Sequence, residues 1–190
     1  KRLGMKNTNF VNATGLPDPA HKTSARDLAI LARAIIRDSA QYYPIYAERE
    51  FTYNNIKQGN RNALLYTDPT VDGLKTGHTE EAGYCLVASS KRNDMRLITV
   101  MLNTASPQAR ADLTRTLLGW GFGNFEKATP LPADKPVATA KVRYGKAETF
   151  PAGLASPWTV TVPRGQKVET SVQLNPALEA PVAKGAAPVA

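Results

Sequence analysis

Apolar residues recur along the first two thirds of the chain in two rhythms, and each predicts a different kind of element. Between Ser24 and Asp38, the residues Leu28, Leu31, Ile35 and Ile36 fall at helical spacing. Ser24 precedes them as an N-cap, with Asp27 three residues on in a capping-box arrangement, so a core-packing helix is expected as far as about Asp38. Residues 83–90 and 95–102 are instead apolar at nearly every position, joined by a tight Arg92-Asn93-Asp94 turn. That pattern predicts a hairpin within a sheet covered on both faces, because a sheet with one wet face would alternate apolar and polar. A second helix should follow, with Ser106 as N-cap, Pro107 at its first position, Leu113, Leu117 and Leu118 as its apolar residues, and an end near Gly119-Trp120-Gly121.

Between these elements, residues 7–22 are rich in Asn, Thr, Pro and Gly and read as a loop. Phe51-Thr52-Tyr53 reads as a short strand before a polar segment at 54–62, and the aromatics Tyr42, Tyr43, Tyr46, Phe51 and Tyr53 are expected in the core. Helix, strand, hairpin and helix in this order predict an α/β or α+β layer structure. Around residues 127–136 the composition turns to Pro, Ala, Lys and Thr, as in a linker, and beyond it the helical period vanishes. Short alternating runs at 137–144, 158–162 and 168–174, with further edge strands suggested by the Ala-Pro-Val repeats near residues 180 and 187, predict a small all-β domain, cut short. The expected organisation is thus residues 1–127 and 128–190.

Composition narrows the chemistry. The 190 residues are 42% hydrophobic and carry a net charge of +8, which favours an anionic partner. The lysines and arginines are spread without a dense block, which argues against nucleic acid. One cysteine, Cys85, and two distant histidines leave no Cys-based zinc site, so cofactor-free and metal-free chemistry is expected. Cys85 itself reads as a small buried hydrophobe, His21 as a solvated loop residue and Glu80-Glu81 as an exposed turn. No apolar run approaches a bilayer span, and the opening Lys1-Arg2-Leu3-Gly4-Met5-Lys6, without an initiator methionine, reads as the tail of a helix in a longer protein.

The stretch that draws the rest together is Asp72-Gly73-Leu74-Lys75-Thr76-Gly77-His78-Thr79. A lysine, a hydroxyl, a bare glycine and an imidazole on one strand suit a cleft wall for an anionic substrate. Lys-Thr-Gly belongs to the signature set of penicillin-binding proteins and class A β-lactamases. Its flanks extend the match: Leu3 to Phe10, Gly15-Leu16, Ser24 to Asp27, Asn60-Arg61-Asn62, Ala82-Gly83-Tyr84, Arg96-Leu97-Ile98 and, later, Val162-Pro163-Arg164-Gly165 stand in the same order as in one family. The chain resembles the low-molecular-weight penicillin-binding proteins that act as D-alanyl-D-alanine carboxypeptidases.

The resemblance implies a partial serine β-lactamase/transpeptidase-like domain followed by a β-rich domain, and a periplasmic enzyme at the outer face of the cytoplasmic membrane, with an anchoring helix beyond these residues. It implies that such an enzyme trims the terminal D-alanine from peptidoglycan stem peptides through an acyl-enzyme and is acylated by β-lactams. Lys75 would polarise the site and help hold the substrate carboxylate, Thr76 would give its hydroxyl to that carboxylate, and Gly77 would leave the strand open to a peptide docking as an added strand. The His78 backbone N–H would form half of an oxyanion hole. Thr79 and Arg110 would bind substrate, with Arg61 in support. The nucleophile of the family lies in Ser-x-x-Lys, and neither that motif nor Ser-x-Asn occurs in these residues, so the polypeptide alone is expected to be inactive. The alternatives are a β-lactamase, disfavoured by the β-domain, and a non-catalytic wall-binding or scaffolding protein of the same fold.

Overall fold

A computed structural model describes residues 2–133, 135–174 and 178–181. It forms two units, Lys1–Asn124 and Phe125–Ala190.

The first unit is organised on an antiparallel sheet of β3 (Val71–Thr79), β4 (Gly83–Arg92) and β5 (Met95–Thr104), in the order β3-β4-β5. Helix α1 (Ala25–Asp38) and helix α3 (Pro107–Asn124) both pack on it. Successive residues of β4 go to different cores. Leu86 and Ala88 join Leu64, Leu65 and Val71 with Ala111 and Leu118 of α3, whereas Val87 packs with Leu74, Tyr43 and Ala32 of α1. Because adjacent strand residues face opposite ways, one helix covers each face, and this is why the strands show no polar alternation. Leu64, Leu86 and Leu118 are fully buried, each contributing about 1.5–3 kcal/mol through removal from water.

Between α1 and the sheet run a 3₁₀ turn (Tyr43–Ala47), a hairpin of β1 (Glu50–Tyr53) and β2 (Ile56–Gly59), and the single-turn helix α2 (Leu64–Thr67). The polar segment at 54–62 therefore contains a strand. Both hairpin strands are exposed throughout, so Phe51 and Tyr53 stand in solvent, as does Tyr42, while only Tyr43 and Tyr46 pack inward. A two-stranded ribbon has no layer beneath it to bury its aromatics.

Helix α1 has the expected span and cap, the Asp27 N–H donating to Ser24 Oγ at 3.2 Å. The Asp27 carboxylate does not complete a capping box. It is 2% exposed and its Oδ2 accepts from the Asn7 N–H and Thr8 Oγ, each at 2.7 Å, tying the irregular first segment to the helix. Residues 7–22 form the expected loop, closed by one antiparallel bridge between Asn9 and Lys22. At the chain start Arg2 and Leu3 form a turn, and Gly4 has φ +75°.

Helix α3 begins as expected, the Ala109 N–H donating to Ser106 Oγ at 3.0 Å. It does not stop at Gly119-Trp120-Gly121 but continues to Asn124. Gly121 is there for proximity: a Cβ on it would lie 2.7 Å from Leu97 Cδ1, so the glycine lets the helix settle on β5. The buried stripe is Arg110, Ala111, Thr114, Leu118 and Gly121, whereas Leu113 and Leu117 are exposed. Leu118 and the small residues around it mark the contact face, not Leu113 and Leu117.

In the second unit, β6 (Phe125–Leu131) pairs antiparallel with β9 (Trp158–Pro163), and β7 (Pro136–Arg143) pairs antiparallel with β8 (Thr149–Gly153) and parallel with β10 (Leu178–Glu179). The expected linker at 127–136 is in large part strand β6, whose ladder to β9 overrides its Pro-Ala-Lys composition. Residues 168–174 alternate like a strand but form none; residues 169–174 line a groove of about 590 Å³ beside Trp158. The repeat at 187–189 lies outside the described residues.

Candidate active site

Strand β3 is an edge of its sheet, with its register to β4 running Lys75 opposite Val87, Thr76 opposite Leu86, Gly77 opposite Cys85, His78 opposite Tyr84 and Thr79 opposite Gly83. Leu74 is buried in the core, and after it the strand comes out to solvent, Lys75, Gly77 and His78 being exposed and Thr76 and Thr79 half-buried. An edge strand exposing functional groups in this way can receive an extended peptide along its open side.

Both ends of the segment are held. At the start, the Tyr43 hydroxyl donates to Asp72 Oδ1 at 2.8 Å, Arg96 binds the same carboxylate and Ser89, and buried Asn62 donates from Nδ2 to the Gly73 carbonyl at 3.1 Å. Gly73 makes room for this clamp, since a Cβ there would meet the Tyr43 hydroxyl at 2.7 Å. At the far end, the Ala82 N–H donates to Thr79 Oγ at 3.0 Å, and Gly83, at φ +60°, lies so close to Asn103 that a Cβ would come within 2.7 Å of its Oδ1. In the middle, Lys75 Nζ donates to the Thr76 carbonyl, and the His78 ring stacks on Tyr84 at 3.9 Å between centroids and 27° between planes.

Arg110 comes from the first turn of α3 and is 6% exposed. Its Nη2 donates to the Arg61 carbonyl at 3.1 Å and its Nη1 to the Cys85 carbonyl at 3.4 Å, with the guanidinium 5.8 Å from the Tyr84 ring centroid. Burial pulls its pKa below the usual guanidinium value, opposed by the neighbouring Cys85 and Tyr84. It has carbonyl partners but no carboxylate partner among the described residues, so its charge is poised for an anion.

All seven residues singled out in the sequence, Lys75, Thr76, Gly77, His78, Thr79, Arg61 and Arg110, line one cleft of about 1100 Å³. Its lining contains three cations and neither aspartate nor glutamate. Such a cavity concentrates anions, and with a hydroxyl and strand backbone beside the cations it can orient a carboxylate and an adjoining peptide.

The opposite wall was not foreseen: Phe10, Asn12, Ala13, Thr14, Gly15 and His21 belong to what reads as an ordinary polar loop. His21 is not simply solvated. Its Nδ1 accepts from the Val11 N–H at 3.2 Å and its ring packs on Phe10 at 5.1 Å. Cys85 is half-buried at the cleft, its Sγ 3.2 Å from the Ala82 carbonyl, where a wholly buried thiol was expected. Glu80 and Glu81 form the exposed turn between β3 and β4.

Comparison with known proteins places these features. Residues 1–106 match the family described as D-alanyl-D-alanine carboxypeptidase, and residues 125–187 match the penicillin-binding protein 5 C-terminal domain. The D-alanyl-D-alanine carboxypeptidase DacA of Haemophilus influenzae is 44% identical over 97% of this chain and 48% of its own length, and DacC of Escherichia coli K12 is 43% identical over 97% and 47%. The crystal structure of penicillin binding protein 5 from Haemophilus influenzae superposes with a TM-score of 0.82 at 43% identity, covering 99% of this chain and 56% of that one. The chain thus spans about half the length of the curated relatives it matches. A cationic cleft walled by Lys75-Thr76-Gly77 and a family match over more than half of the residues lead to one assignment: the chain belongs to the D-alanyl-D-alanine carboxypeptidase family.

Proposed function

We propose that this chain supplies the substrate-binding wall of a serine-type D-Ala-D-Ala carboxypeptidase acting on peptidoglycan stem peptides. The observation that carries the reading is the cleft in which β3 and Arg110 meet with no carboxylate in the lining. The terminal carboxylate of the peptide sits against Lys75, the Thr76 hydroxyl and Arg110, with Arg61 behind it. Gly77 leaves the strand backbone open to the peptide, which lies along β3 as an added strand with Thr79 beyond the scissile bond. The His78 N–H donates to the scissile carbonyl oxygen, an interaction that strengthens as charge develops there in the transition state. A serine activated by a lysine, contributed by residues other than these, attacks that carbonyl, expels D-alanine and forms an acyl-enzyme that water resolves. β-Lactams present the same carboxylate and carbonyl and acylate the same serine.

The match of residues 125–187 to the penicillin-binding protein 5 C-terminal domain supports the carboxypeptidase over the β-lactamase. Such an enzyme works on the periplasmic side of the cytoplasmic membrane; no described helix is long and apolar enough to cross a membrane. The test is to incubate the full-length protein with a fluorescent penicillin and, separately, with a D-Ala-D-Ala pentapeptide. Covalent labelling with release of one D-alanine is expected, both lost in Lys75→Ala. Labelling without D-alanine release would favour the β-lactamase reading, and neither labelling nor release would favour the scaffold.

A further inference from the structure

A second groove, of about 790 Å³, runs between residues 15–22 and the turn joining β3 to β4. It continues the first cleft, because Gly15, His21, Thr79 and Ala82 line both. The two differ in charge: the first holds only cations, whereas the second adds Asp18 and Glu81 to Lys22. His21 stands at their junction. Its Nδ1 accepts from the Val11 N–H, so the neutral ring carries its proton on Nε2, and Phe10 packs beside the ring to fix its plane. Nε2 makes no hydrogen bond among the described residues, which leaves a donor at the point where the two grooves meet.

We propose that this groove is the subsite for the peptide residues preceding D-Ala-D-Ala, and that His21 is a specificity-determining residue donating from Nε2 to a peptide oxygen there. The inference rests on the carboxypeptidase reading. An extended peptide advances about 3.3 Å per residue, so one whose carboxylate lies at Thr76 brings its third residue beside Thr79, at the mouth of the groove. Groups of both signs there suit a residue carrying an ammonium on its side chain and a neighbour carrying a carboxylate: Glu81 and Asp18 attract the first, Lys22 the second.

The test compares two substrates on the full-length protein: N-acetyl-D-Ala-D-Ala, which ends before the groove, and the pentapeptide L-Ala-D-Glu-L-Lys-D-Ala-D-Ala, which fills it. The ratio of kcat/KM for the pentapeptide to that for the acetyl dipeptide should fall about tenfold in His21→Ala, the size of one lost hydrogen bond. It should recover in His21→Gln, whose amide keeps a donor. A ratio unchanged in His21→Ala, including one where both rates fall together, makes His21 a structural loop residue and overturns the subsite. A wild-type protein that cleaves neither peptide removes the carboxypeptidase reading and this inference with it.

Discussion

Asp72 and Arg96 meet as a two-pronged pair, Nη1 to Oδ1 and Nη2 to Oδ2 both at 2.7 Å, three residues before Lys75. Both side chains are about two-thirds covered. The parallel geometry matches the planar guanidinium fork, and β3 is thereby tied to β5 across β4. Asp72→Ala leaves Arg96 half-buried without its anion and the Tyr43 hydroxyl without its acceptor. A loss of about 1–3 kcal/mol is expected in urea denaturation of the full-length protein. The paired change Asp72→Ala with Arg96→Met should cost less than the sum of the two single changes, a coupling that a double-mutant cycle reads directly.

The Tyr43 phenol is pushed up from 10.0 to about 12, chiefly by burial, with the Ser89 hydroxyl pulling it down and Asp72 adding to the rise. A raised folded-state value means that its contribution to stability is complete below the unfolded pKa and lost as pH climbs through the folded one. The window therefore runs from about pH 10 to about pH 12. Across it, wild type should lose stability more steeply than Tyr43→Phe, measured by denaturation at a series of alkaline pH values. Parallel curves would place the phenol elsewhere.

Two glycines of α3 should respond in opposite ways to alanine. A Cβ added at Gly119 would meet no atom within 4 Å, so Gly119→Ala gains helix propensity, about 0.5–1 kcal/mol. Gly121→Ala places the same methyl 2.7 Å from Leu97 Cδ1, and displacement of that side chain outweighs the gain, for a net loss of about 1 kcal/mol. Leu97→Val should relieve part of the second effect and none of the first. Thermal melts of the single variants and of each glycine change combined with Leu97→Val decide it.

Arg110 offers a fork, not only a charge. In Arg110→Lys an ammonium cannot keep both carbonyl contacts, to Arg61 and Cys85, while also receiving a carboxylate. The second-order rate of acylation by a fluorescent penicillin should drop about tenfold in the full-length protein, with the melting temperature moved by only a few degrees. A rate equal to wild type would take the anion-binding role away from this residue.

Much of the first unit was legible because its signals are local. Ser24 and Ser106 are caps whose hydroxyls do accept the predicted bonds, and the runs at 83–90 and 95–102 read as doubly covered strands. The misses share a cause in long-range contact. Nothing near Gly121 announces that Leu97 will lie against it, and nothing near residue 127 announces a partner at 161. In the cleft, the wall formed by β3 could be read from consecutive residues, whereas the facing wall depends on where residues 10–21 are carried by the Asn9–Lys22 bridge and the Asp27 tie. A polar loop has no sequence period that reveals which way it folds.

That difference between the two walls has an evolutionary corollary. The sheet side is held at Asp72 by Arg96 and carries the strand register to β4 from Gly73 to Thr79. The loop side is closed at its base by Asn9 and Lys22 and is mostly exposed between them, with no ladder bond to the sheet among the described residues. Length changes between residues 13 and 20 can therefore reshape the mouth of the cleft while every strand pairing of β3, β4 and β5 stays as it is. Change in the shape of the cleft can accumulate on one jaw, with the side chains of the other left in place.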